Sequence, residues 1–113
     1  MSNDTVILFT RNGLGEAPHA LSQALVSKFL SLWIESGQLP AKILFYTEGV
    51  KLACSGSPVS SQLKTLEKLG VELVLCKTCL DFFQLSDQIE AGVVGGMGDI
   101  LETLQKAGKV LSV

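Results

Sequence analysis

The alternation of strand and helix signals along the chain predicts an α/β fold: a three-layer α/β/α domain on a mainly parallel sheet of four or five strands, flavodoxin- or Rossmann-like. Three observations predict it. Helical patterns end at Gly37, Gly70 and Gly108, and each is followed at once or within a few residues by a strand pattern, as in parallel βαβ units. The strand segments are continuous apolar runs and not alternating ones, as strands buried on both faces are. Right-handed crossovers then place helices on both faces of the sheet.

Residues 5–10, Thr5 to Thr10, form the first such run and are expected to be a central parallel strand. Arg11-Asn12-Gly13-Leu14-Gly15-Glu16 is a turn whose two glycines permit positive φ and close backbone approach. Gly-x-Gly alone is short of a dinucleotide fingerprint, so a tight turn is the simpler reading, with Arg11 and Gly13 as candidate contacts for an anion. From Ala17 to Ser36 the periodicity is helical, with Pro18 in the first turn and Gly37 at the C-terminal position. Leu21, Leu25, Phe29 and Leu32 make one apolar stripe, which Val26, Leu30, Trp33 and Ile34 widen beyond a single face. The surplus predicts a homo-oligomer, with Trp33 as an interface aromatic. His19 is the single histidine and is expected to be a surface or hydrogen-bonded residue.

The second strand signal runs from Pro40 to Thr47, and a loop holding Gly49 and Cys54 leads away from it. Ser57-Pro58 reads as an N-cap and first helical position of a helix through Leu63, Leu66 and Leu69. Val71 to Cys76 is the third strand. Beyond it come an apolar cluster at Leu80, Phe82, Phe83 and Leu85 around a short helix, another helix capped by Ser86 and ending near Gly92, and the segment Val93 to Gly98, which holds at most a very short strand. A last amphipathic helix through Ile100 and Leu104 precedes the strand Lys109 to Val113.

A chain of 113 residues with 47% hydrophobic and 18% charged residues suits a single domain over residues 1–113 with one packed core. A net charge of −2, with basic residues scattered singly, gives no stripe for nucleic acid. No run approaches the roughly 20 apolar residues of a membrane helix, and Met1 to Asp4 lacks signal-peptide features, so a cytoplasmic location is expected. Three cysteines argue for reduced thiols and not for a disulfide framework.

The chemistry concentrates at Cys76-Lys77-Thr78-Cys79. Both thiols stand where a strand hands over to a helix, the place where open α/β sheets keep their sites. Thr78 with Asp81 three residues on has the form of a capping box, with Cys79 at the first helical position. A helix N-terminus and a cation such as Lys77 lower a thiol pKa, which predicts a nucleophile at neutral pH. A cysteine ending a buried strand is by default a small hydrophobe, and the second thiol beside a cap and a lysine favours chemistry over that default. Cys54, on a loop at the same sheet edge, is expected to approach the pair. A Cys₃His zinc site would need His19, which has no partner at metal spacing. A thioredoxin-type enzyme carries its motif nearer the chain start.

The segments Thr10 to Gly15, Gly49 to Ser57 and Gly70 to Asp81 resemble the DsrE-like sulfur-relay family, most closely the DsrE-type domain of YedF-like, sulfurtransferase-like proteins. The resemblance implies a five-stranded parallel sheet, assembly as trimers or hexamers, and a strand-end cysteine that carries sulfur as a persulfide; no cofactor is expected. Alignment through the preceding strand puts that cysteine at Cys76, and the capping pattern favours Cys79. Cys54, Lys77, Thr78, Arg11, Gly13 and Gly49 are candidate binding residues. YedF-like chains carry a TusA-like carrier domain ahead of this one. The sequence here starts at the DsrE-like strand, so the sulfur donor or acceptor is expected on a separate protein. The alternative function is a non-catalytic oligomeric module that binds a small ligand or a partner protein.

Overall fold

A computed structural model describes residues 4–113; Met1, Ser2 and Asn3, which bear on the expected lack of a signal peptide, lie outside the described residues. Five strands form one parallel sheet: β1 (Thr5–Phe9), β2 (Lys42–Phe45), β3 (Glu72–Cys76), β4 (Val93–Gly95) and β5 (Lys109–Ser112), in the order β4-β3-β2-β1-β5. Four α-helices connect or flank them: α1 (His19–Ser36), α2 (Ser60–Lys68), α3 (Lys77–Phe82) and α4 (Met97–Lys106). A 3₁₀ helix, Thr47–Ala53, follows β2 directly. The predicted α/β class and parallel sheet are what the chain forms.

The central strands are apolar because both their faces are covered. Ile7, Phe9, Ile43, Phe45, Leu73 and Leu75 are buried on one face, and Leu8, Leu44 and Val74 on the other. Phe9 stacks on Phe45 with ring centroids 5.6 Å apart, and Phe29 of α1 meets Phe9 edge-on at 6.5 Å. Such pairs add to area burial because the positive ring edge faces a negative ring face. The register sets Phe9 beside Phe45, Phe45 beside Leu75, and Cys76 beside Gly95, so the carboxyl ends of four strands lie along one edge.

Helix α1 buries a different face from the one its leucines suggest. Ser22, Val26 and Leu30 pack inward, whereas Leu21, Leu25 and Leu32 remain exposed. The cause lies in the loop after β1: Leu14 donates its N–H to the Ser22 carbonyl at 3.0 Å, and Gly13 rests against the Ser22 side chain with no room for a Cβ. A serine is small enough to let the loop sit on the helix there. Trp33 is half-buried, its ring against Phe29 and its indole N–H donated to the Gln38 carbonyl at 2.6 Å. The exposed apolar surface of α1 comes mainly from Leu21, Leu25 and Leu32.

Three boundaries differ from expectation. Pro18 precedes α1 and does not lie inside it, and Gly37 closes the helix in the left-handed region with φ 72°. Ser57 caps a turn, accepting the Val59 N–H at 3.2 Å, and α2 starts later, at Ser60. The helix expected after Ser86 is absent: residues 83–92 are turns, pinned by an isolated bridge between Ile89 and Cys54, and the Ser86 hydroxyl donates to Asp81 at 2.9 Å.

Gly49 meets the tightest backbone constraint, since a Cβ there would run into the Phe9 carbonyl oxygen. Replacing Gly49 with Ala is expected to destabilise the protein by about 2 to 4 kcal/mol, because the obstruction is main chain and cannot rotate away. Gly98→Ala, on α4 with open space around it, is expected to be neutral or to stabilise by up to about 1 kcal/mol. Urea unfolding of the two variants checks both.

Candidate functional site

Residue Cys76 closes β3 and, with φ −65° and ψ 120°, is itself the N-cap of α3. The chain turns from strand to helix with no linker, so Lys77 is the first helical residue, Thr78 the second and Cys79 the third. The expected capping box on Thr78 therefore does not form. Asp81 is engaged elsewhere, with Lys77 Nζ at 2.7 Å and the Ser86 hydroxyl at 2.9 Å, and these two contacts lower its pKa. Lys77 is exposed and held by Asp81, which raises its own pKa. Thr78 is exposed.

This shift of register brings the two thiols together. N-cap and N3 are the two positions that face each other across the first turn of a helix. Cys76 is 0% exposed, while Cys79 is partly open to solvent. The Sγ of Cys79 accepts the backbone N–H of Thr47 at 3.0 Å. Thr47 is a β-branched residue at φ 50°, an uncommon conformation that aims its N–H at the sulfur, and its hydroxyl donates to the Thr10 carbonyl. Nothing in the sequence marks Thr47, because its contribution is main chain.

The electrostatics differ from the sequence expectation of a lowered thiol pKa. Burial pushes the Cys79 thiol up, the hydrogen bond and charge repulsion from Cys76 push it the same way, and the Thr47 N–H pulls it down without offsetting them. Lys77 does not act on it, since its ammonium is turned to Asp81. Cys79 is thus a thiol at neutral pH, and its thiolate population grows as pH rises.

Cys54 does not join the pair. It sits buried past the far end of the 3₁₀ helix, in the bridge to Ile89, with its pKa raised by burial and by the nearby Glu90. Together with Asn12, His19, Gln23, Lys51 and Phe83 it lines a separate cavity of about 330 Å³. Lys51 pairs with Glu48 at 3.0 Å and lies 4.5 Å from the centroid of the Phe83 ring. Arg11 is exposed on the β1–α1 loop and forms no ion pair among the described residues. Gly13 and Gly49 are buried against the chain's own Ser22 and Phe9. Among the described residues no three His, Cys, Asp or Glu side chains are grouped to hold a metal ion.

The exposure pattern predicts that iodoacetamide modifies Cys79 alone in the native protein, with Cys54 and Cys76 reacting only after denaturation. Its raised pKa predicts a rate still climbing at about pH 8.5, the ordinary thiol pKa, whereas a thiolate site would have levelled off. Peptide mass mapping across a pH series reads both.

The fold is shared with solved structures. The ychN protein from E. coli is 21% identical, covering 99% of this chain and 100% of its own, with a TM-score of 0.74. The protein of unknown function MTH1491 from Methanobacterium thermoautotrophicum is 17% identical over 99% and 100%, with a TM-score of 0.70. The conserved protein of unknown function BT1422 from Bacteroides thetaiotaomicron is 18% identical over 97% and 95%, also at 0.70. No curated protein matches the chain significantly. The DsrE/DsrF-like family matches residues 5–113, nearly all of the sequence. The chain therefore belongs to the DsrE/DsrF-like family, which is associated in general with sulfur relay.

Proposed function

We propose that this protein is an intracellular sulfur-relay carrier that accepts sulfur as a persulfide on Cys79 and passes it to an acceptor thiol. The observation that carries this reading is the partly exposed Cys79 sulfur, held by the Thr47 N–H at a strand-to-helix junction, in a chain of a family associated with sulfur relay. Cys79 replaces Cys76 as the carrier because a thiol with no exposed surface meets no donor. In the loading step the Cys79 thiol releases its proton, the thiolate attacks the outer sulfur of the donor persulfide, the donor S–S bond breaks, and the donor leaves as a thiolate. The acceptor thiolate repeats that attack on the outer sulfur of Cys79.

The donor and acceptor are separate sulfur carriers of the TusA-like kind, and the chain works as a homo-oligomer, a trimer or hexamer. Supporting the assembly, the β4 edge carries exposed apolar residues, among them Val93, Val94, Met97 and Leu101, with Phe82 nearby in sequence on α3 and 80% exposed. No helix among the described residues is long and apolar enough to cross a membrane. A second reading, a binding module without turnover, is favoured by the polar cavity beside Cys54 and His19; it requires binding to survive replacement of every cysteine.

On a Cys76→Ala background, which leaves Cys79 without a neighbouring thiol, incubation with glutathione persulfide is expected to add one sulfur atom to the intact mass. Adding Cys79→Ser is expected to abolish the gain and adding Cys54→Ser to leave it. A gain that survives loss of Cys79 overturns the assignment.

A further inference from the structure

The geometry points to a second activity of the same thiol pair, resting on the carrier reading: Cys76 resolves the persulfide of Cys79, releasing sulfide and leaving a Cys76–Cys79 disulfide. Three features of the pair lead there. The first is spacing. N-cap and N3 lie three residues apart at a helix start, where regular geometry puts the Cα atoms about 5 Å from one another. Disulfides form at Cα separations of roughly 4.4 to 6.8 Å, so the bond closes without moving the strand or the helix.

The second is the asymmetry of access. Cys76 is fully buried and Cys79 is partly open. An external persulfide reaches Cys79, whereas the Cys76 thiol has no exposed surface and interacts with Cys79, and among the described residues no third cysteine is grouped with the pair. A thiol so placed has one covalent partner. Simple sulfur carriage uses a single cysteine and leaves Cys76 without a part. The third is the fixed position of the Cys79 sulfur: the Thr47 N–H, just past β2, holds Sγ beside the neighbouring strand β3 that brings Cys76. The inner sulfur of a persulfide on Cys79 is that same Sγ, and it stays next to Cys76 when the outer sulfur is added.

The step balances. Cys76 gives up its proton and its sulfur attacks Cys79 Sγ; the Sγ–S bond of the persulfide breaks, and the outer sulfur departs as hydrosulfide, which takes up a proton. The sulfane sulfur gains two electrons and the two thiols lose two. An external dithiol reductant then exchanges with the disulfide and returns both cysteines to thiols. The protein would thus choose between two outlets: transfer to an acceptor thiol that arrives first, or reductive release of sulfide when none does.

The test loads reduced protein with glutathione persulfide, removes the reagent by desalting, and follows free sulfide and intact mass without reductant. Wild-type protein is expected to release about one sulfide per chain and to finish two hydrogens lighter than its reduced form, a loss that dithiothreitol reverses. Cys76→Ala and Cys76→Ser are each expected to keep the added sulfur and to release sulfide roughly tenfold more slowly or less. If wild-type protein holds its sulfur as long as both variants do, resolution by Cys76 is wrong and the carrier role stands. If neither variant nor wild type takes up sulfur or yields sulfide, the carrier reading fails and this inference with it. Circular dichroism of the variants confirms that the fold is retained.

Discussion

The candidate site depends on the main chain at the carboxyl end of β1. The Phe9 carbonyl accepts the Tyr46 N–H at 3.2 Å, and the same carbonyl is where Gly49 comes too close for any side chain. One residue on, the Thr10 carbonyl takes the Thr47 hydroxyl. These contacts hold the start of the 3₁₀ helix against the sheet edge and hold Thr47 in its left-handed conformation, and the outcome is one N–H directed at Cys79. An exposed hydrogen bond to sulfur would be weak against competing water. Here it is fixed by backbone that has no other place to go.

In the proposed carrier, a raised Cys79 pKa is compatible with transfer because two effects oppose each other. A thiolate of very low pKa is abundant but a poorer nucleophile, since nucleophilicity falls with basicity. Burial keeps Cys79 protonated at rest and thus protected from oxidation, and the Thr47 N–H supplies a donor for the charge when it forms. The separate cavity around Cys54 and His19 does not feed charge into this arrangement. The 3₁₀ helix joins the two parts, with Thr47 at its start beside Cys79 and Cys54 at its end in the cavity.

Much of this was legible in the residues. The apolar runs ending at Phe9, Phe45 and Cys76 are unambiguous because strands buried on both faces need no alternation, and the helix-closing Gly37 advertises its positive φ. The position of the thiol pair at a strand end was legible for the same reason. What the sequence concealed was register within a turn. Thr78 and Asp81 carry the spacing of a capping box, yet β3 runs into α3 without a spare residue, and the cap falls on Cys76. Likewise Leu21 and Leu25 look like a core stripe, but the loop after β1 needs a small residue beneath it, and Ser22 decides the helix rotation. Thr47 was invisible because a backbone N–H is common to nearly every residue.

The order of the strands carries a consequence for how the chain reaches this state. Strands β1 to β4 are laid down outward in sequence, each beside its predecessor, but β5 returns to the opposite side and pairs with β1, Thr5 opposite Lys109. That contact closes almost the longest loop the chain offers, and such closures are entropically costly and slow. The β1–β2–β3 unit, which positions both thiols and Thr47, is complete by residue 79 and assembles from contacts between neighbouring segments. Until β5 docks, the outer edge of β1 is an unpaired row of N–H and carbonyl groups on an apolar strand, which other chains can pair with. Docking of β5 moves the open edge of the sheet from β1 to β5, whose four residues are all exposed, so the finished sheet still ends there in an unpaired row of N–H and carbonyl groups.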